Sequence, residues 1–161
     1  MKNKGFFKNI LYNNRNNKYK GLIIVEIVNS HKDYNSDFNI VYSCQYHAVF
    51  CPKYRRKVFV GKIEERLKEL ILQKQDEYKY KIIEMEVMPD HIHLLIDANP
   101  KVGIYNTIVK IKGFTSRTLR EEFSELRTRI PTLWTRSLFL STVGSVSLET
   151  VKKYIENQKN K

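Results

Sequence analysis

Nowhere in the 161 residues is there an apolar run long enough to cross a bilayer. The most apolar early stretch, "GLIIVEIV" from Gly21 to Val28, is short and carries Glu26. A membrane span needs about 20 apolar residues, so a soluble, cytoplasmic protein with no membrane partner is expected. Cysteine is scarce as well: Cys44 and Cys51 are the only two. They stand an odd number of positions apart in a predicted strand, and their side chains leave opposite faces. That argues against a disulfide between them and fits a reducing compartment. Acidic side chains are in deficit, with 17 Asp and Glu against 29 Lys and Arg, a formal net charge of +12. Such a surplus draws polyanions, of which phosphate backbones are the commonest. There is no internal repeat, and the length suits one domain around one core.

Residues 1–38 are rich in Asn and Lys, lack a sustained period and contain "NNRNNKYK", which predicts a flexible N-terminal extension ahead of a domain over 39–161. "IVYSCQYHAVF" (Ile40 to Phe50) is dense in β-branched and aromatic residues and reads as a strand, broken at Pro52. Ile63, Leu67, Leu70, Ile71, Lys74 and Tyr78 recur at steps of three and four, a helix with one apolar stripe. "KIIEMEVM" and "HIHLLI" alternate on either side of the Pro89-Asp90 turn and predict an antiparallel hairpin. Ile104, Ile108, Ile111, Thr115 and Leu119 mark a second helix over 104–123. "SLFLSTV" (Ser137 to Val143) is a last strand, and a final helix starts near Ser147. The order β-α-β-β-α-β with a C-terminal helix is ferredoxin-like: an α+β fold whose antiparallel sheet carries helices on one face.

Within the hairpin, "MPDHIHLLI" places His91 and His93 on one face of a strand, while Ile92, Leu94 and Ile96 turn the other way. Two imidazoles so spaced can share a divalent metal; the alternative is a pair of solvent-facing histidines. On the C-terminal helix Tyr154 and Gln158 are four apart and share a face. The Gln carbonyl oxygen can ligate a hard cation, with the phenol within reach of what that cation polarises; the alternative is a core-edge tyrosine and a solvated glutamine. Neutral ligands would leave the cation's charge for a phosphodiester, which favours phosphoryl transfer. Basic side chains gather at Lys53, Arg55, Arg56 and Lys57, and along the second helix at Lys110, Lys112, Arg117 and Arg120, with Tyr54 and Phe59 beside the first group. Both groups suit nucleic acid, unless they are a merely solvated basic face.

"YHAVFCPKYRRKVF", "EMEVMPDHIHLLI", "IKGFTSRTLREEF", "LWTR" and "STVGSVSLETVKKYIENQ" together resemble, in order and spacing, the single-tyrosine transposases of the 200/605 group of bacterial insertion sequences. The likeness runs from about Tyr42 to Gln158. It implies the His-hydrophobic-His nuclease variant of the ferredoxin-like fold, with a tyrosine-bearing C-terminal helix. It assigns His91 and His93 as metal ligands, Gln158 as the third ligand, Tyr154 as the nucleophile and magnesium or manganese as the metal. Lys53, Arg55 and Arg56 fall in the family's basic motif; with Lys110 and Arg117 they are the DNA-binding candidates. The resemblance further implies single-stranded DNA with hairpins at the element ends as partner, a 5′-phosphotyrosine intermediate and a homodimer. The chain departs from the pattern at Ser145, where a second glycine often follows Gly144, and at Leu138, where an aromatic is frequent. Two rival functions share the topology: a domesticated nickase that processes chromosomal hairpins, and a non-catalytic nucleic-acid-binding module.

Overall fold

The computed structural model describes residues 34–144. Most of the predicted extension, the final helix from Ser147, Tyr154 and Gln158 all lie outside that range. Among the described residues six strands and four α-helices follow in the order β1 (Asn35–Asp37), β2 (Ile40–Tyr42), β3 (Gln45–Phe50), α1 (Lys62–Gln73), α2 (Gln75–Tyr78), β4 (Tyr80–Met88), β5 (His91–Ala98), α3 (Ile104–Glu122), α4 (Glu125–Arg129) and β6 (Phe139–Thr142). β3, β4, β5 and β6 form one sheet in the order β4-β5-β3-β6, every neighbouring pair antiparallel. This is the ferredoxin-like arrangement expected from the periodicities.

The apolar stripes become the core. Ile63, Leu67, Leu70 and Ile71 of α1 are buried, as are Thr107, Ile108, Ile111, Thr115 and Leu119 of α3. They pack with Ile92, Leu94 and Ile96 from β5, so both long helices cover the sheet face opposite the histidines. Trp134 closes one end of this layer against Phe50 and Phe59, ring centroids 4.8 and 5.0 Å away. Its indole N–H donates to Thr115 Oγ1 at 3.0 Å. Among the described residues no helix is long and apolar enough to cross a membrane.

Three local differences from the predicted elements have physical causes. The strand predicted over Ile40–Phe50 is two: β2 pairs with β1, and β3 enters the main sheet. The interruption falls at Cys44, whose N–H donates to Asp97 Oδ1 at 3.0 Å, so a side chain takes the place of a ladder partner. Asn35 and Asp37, counted with the extension, form β1 and bond Asp97 and Asn99 at 2.9 Å each. The first helix breaks at Lys74 (φ −98°, ψ 7°), which lets Gln75 Oε1 accept the Ile82 N–H at 2.7 Å and lays Tyr78 edge-on to Phe114.

Candidate active site

β5 is a central strand, and its pleat separates two kinds of side chain. Ile92, Leu94 and Ile96 enter the core, whereas His91 and His93 leave from the other face with ring centroids 5.0 Å apart. The register sets Val49 of β3 and Glu86 of β4 beside His93, and Met88 beside His91. Both imidazoles line a cavity of about 450 Å³ together with Phe50, Arg55, Ser137 and Phe139.

Each ring is held at Nδ1. His91 Nδ1 lies 2.6 Å from Asp90 Oδ1, and the other oxygen of that carboxylate accepts from Arg55 Nη2 at 3.1 Å. Burial alone would raise Asp90, but the hydrogen bond from His91 and the His91 and Arg55 charges prevail and keep it below the usual carboxylate range. His93 Nδ1 lies 3.0 Å from His47 Nε2. Burial, then the neighbouring His91 and His47, pushes His93 down to about 4, and burial lowers His47 too. Near neutral pH His93 is therefore uncharged, the form in which an imidazole ligates a metal. His91 and His93 thus offer a divalent cation two imidazoles on one face of a strand. Among the described residues no group of three or more His, Cys, Asp or Glu forms a metal cage. Gln158 and Tyr154, predicted to complete the site, are outside those residues.

The DNA-binding candidates divide. Lys53, Arg55 and Arg56 follow β3 in a short turn anchored by the Lys53 N–H donating to the Leu133 carbonyl at 2.8 Å. Tyr54 and Arg55 adopt φ of 60° and 48°, a left-handed conformation that costs a non-glycine residue about 1–2 kcal/mol and here turns the basic loop toward the histidine cavity, where Arg55 forms part of the lining. Lys110 and Arg117 are exposed on α3, in the helical layer and away from the histidine face. Two further cations of that helix are engaged in the fold: Lys112 Nζ donates to the Ser137 carbonyl at 3.2 Å, and Arg120 Nη1 to the Ile130 carbonyl at 2.8 Å.

Sequence reasoning passed over Asp90, His47 and Phe139. Asp90 was readable as an acid adjoining the first histidine, although its turn role hid it. His47 meets His93 only because β3 lies beside β5. Phe139 is 57% exposed on β6, edge-on to His47 at 6.0 Å, a position that periodicity does not reveal.

Known proteins share this plan. The family described as "Transposase IS200 like" matches residues 40–158. The ISDra2 transposase TnpA of Deinococcus radiodurans is 34% identical over 123 residues, 75% of this chain and 88% of that protein. The transposase for insertion sequence element IS200 of Salmonella typhimurium is 36% identical over 120 residues, 73% of this chain and 78% of that one. A crystal structure of a candidate transposase from Deinococcus radiodurans superposes with a TM-score of 0.62 at 30% identity, over 77% of this chain and 97% of that chain. A REP-associated tyrosine transposase bound to a REP hairpin shares the fold, with a TM-score of 0.54 at 13% identity over 75% of this chain and 70% of that one. With the family model matching residues 40–158 and relatives 34% and 36% identical over about three-quarters of the chain, the chain belongs to the IS200-like transposases.

Proposed function

We propose that this protein cleaves and rejoins single-stranded DNA at element ends through a 5′-phosphotyrosine link to Tyr154. The observation that carries the reading is the pair of imidazoles, His91 and His93, side by side on a central strand and facing a cavity bordered by Arg55, in a chain of a transposase family. Mg²⁺ or Mn²⁺, held by His91, His93 and Gln158, would supply positive charge to the phosphoryl oxygens and the leaving alkoxide. Everything else falls to the chain's own groups. Asp90 and His47 hold the two imidazoles from behind, and Arg55 offers a charge-assisted donor to a phosphate.

A free phenol has a pKa of about 10 and is a weak nucleophile, so Tyr154 needs such a charged setting. Its oxygen bonds to phosphorus and gives up its proton, the bond from phosphorus to the 3′ oxygen breaks, and that oxygen leaves as a hydroxyl. One phosphodiester replaces another, so bond energy is conserved and no nucleotide is consumed. Strand joining is the reverse: a 3′-hydroxyl attacks the phosphotyrosine and frees the phenol. Lys53, Arg55 and Arg56 bind the hairpin beside the cavity, and Lys110 and Arg117 contact the backbone farther away. The reading includes a homodimer, in which the Tyr154 helix completes the histidine site of its own or the partner subunit.

The test is to incubate the full chain and Mn²⁺ with labelled single-stranded oligonucleotides from the DNA flanking its gene, and to resolve covalent adducts on denaturing gels. An adduct lost in Tyr154→Phe, in His91→Ala and with chelator is the expected result. Binding to both element ends with no adduct would overturn the catalytic reading in favour of a nucleic-acid-binding module. Cleavage without any rejoined product would favour a hairpin-processing nickase.

A further inference from the structure

His91 and His93 are held by different chemistry. Behind His91 stands a carboxylate, Asp90, at 2.6 Å. Behind His93 stands another imidazole, His47, which reaches diagonally across the β3–β5 pairing because it is in register with Leu95 rather than with His93 itself. The two rings are nearly parallel, 13° apart with centroids at 5.3 Å, and their Nε2 and Nδ1 atoms are 3.0 Å apart. On its other side His47 is met edge-on by Phe139 of β6, so its ring is located by both flanking strands.

A hydrogen bond between two ring nitrogens needs one N–H and one lone pair. Were His47 the donor, a neutral His93 would carry its own proton on Nε2, and neither of its nitrogens would be left for a cation. With His93 as donor from Nδ1, its Nε2 keeps a lone pair, and His47 holds its proton on Nδ1 and accepts at Nε2. We propose that His47 is the positioning residue of His93: by accepting the Nδ1 proton it fixes the tautomer and ring orientation that leave Nε2 to take the metal. The inference rests on reading His91 and His93 as metal ligands. It makes the two ligands alike, each donating from Nδ1 to an acceptor behind it, as metal-bound histidines commonly do. It also makes them unlike in charge. His47 orients without adding a negative charge, so the cation's positive charge is preserved on the His93 side, where a second carboxylate would have reduced it.

The test uses the full chain and Mn²⁺ alone, titrated calorimetrically, with thermal unfolding in chelator to compare the metal-free folds. His47→Gln retains an acceptor carbonyl near the Nε2 position and is expected to bind Mn²⁺ within about threefold of the unsubstituted chain; His47→Leu fills space without accepting, His47→Lys only donates, and each is expected to lose about 10–100-fold. Nitrogen NMR of ring-labelled, metal-free protein should find the His93 proton on Nδ1, moving toward Nε2 in His47→Leu. Undiminished Mn²⁺ affinity in His47→Leu and His47→Lys, or an Nε2-protonated His93 in the unsubstituted chain, overturns the proposal. If His47→Leu fails to fold, the contrast between Gln and Lys decides the matter. His91→Ala separates the two levels: weaker Mn²⁺ binding there beside unchanged binding in the His47 variants refutes the His47 role alone, whereas unchanged binding in His91→Ala refutes the ligand assignment beneath it.

Discussion

Asp90 has two partners, one for each carboxylate oxygen: His91 at 2.6 Å and Arg55 at 3.1 Å. The two bonds differ in weight. Arg55 is exposed, and its ion pair is worth about 0–1 kcal/mol to the fold, so its removal is expected to weaken DNA binding with little change in stability. The bond to His91 orients a proposed ligand. Asp90→Ala is therefore expected to cut Mn²⁺ affinity about 10–100-fold while the unfolding midpoint changes little, measured by calorimetry beside a thermal melt. At the opposite face Thr115 acts purely on stability. It is fully buried, accepts the Trp134 indole N–H at 3.0 Å and donates to the Ile111 carbonyl at 2.7 Å. Thr115→Val keeps the shape and strands the indole donor, at an expected cost of about 1–3 kcal/mol in urea unfolding. The imidazole cavity is on the other face, so Mn²⁺ affinity should not follow.

At the scale of elements, the backbone conformations at two helix ends make opposite predictions. Gly103 opens α3 with φ of 80° and ψ of 145°, and a Cβ there would meet nothing within 4 Å. Gly103→Ala should lose about 1–3 kcal/mol through backbone strain alone. Lys79 ends α2 with φ of 60° and ψ of 53°, a left-handed cap that glycine adopts without a steric penalty. Lys79→Gly should gain about 0.5–1 kcal/mol. Thermal unfolding of both variants checks the signs, and an equal response at the two positions would refute the strain account.

For the molecule as a whole, a net charge of +12 should make affinity for single-stranded DNA fall steeply with salt. The logarithm of the binding constant should decline by about 0.7 per neutralised phosphate for each unit of log salt. Binding isotherms at several salt concentrations would then sort the cations. Removing Lys53, Arg56 or Lys110 should flatten the slope. Arg120→Ala should instead lower the unfolding midpoint, because its guanidinium is engaged with the Ile130 carbonyl. A flattened slope in Arg120→Ala with unchanged stability would reverse that assignment.

What the sequence determined by itself was whatever a local period encodes. A repeat of two over Lys81–Met88 and His91–Ile96 becomes the β4–β5 hairpin, and stripes at three and four become α1 and α3, because burying one face is a property of the segment alone. The His91 and His93 pairing was legible for the same reason: parity along a strand needs no partner. The tertiary structure decided what depends on residues far apart in the chain. Asp97 interrupts the first predicted strand at Cys44, Asn99 bonds Asp37 of β1, and Arg120 is withdrawn from the basic surface by Ile130. His47 stands behind His93 only once β3 pairs with β5 in its particular register. Such contacts depend on how strands and helices are set against one another, and pattern within a single segment carries no record of that registration.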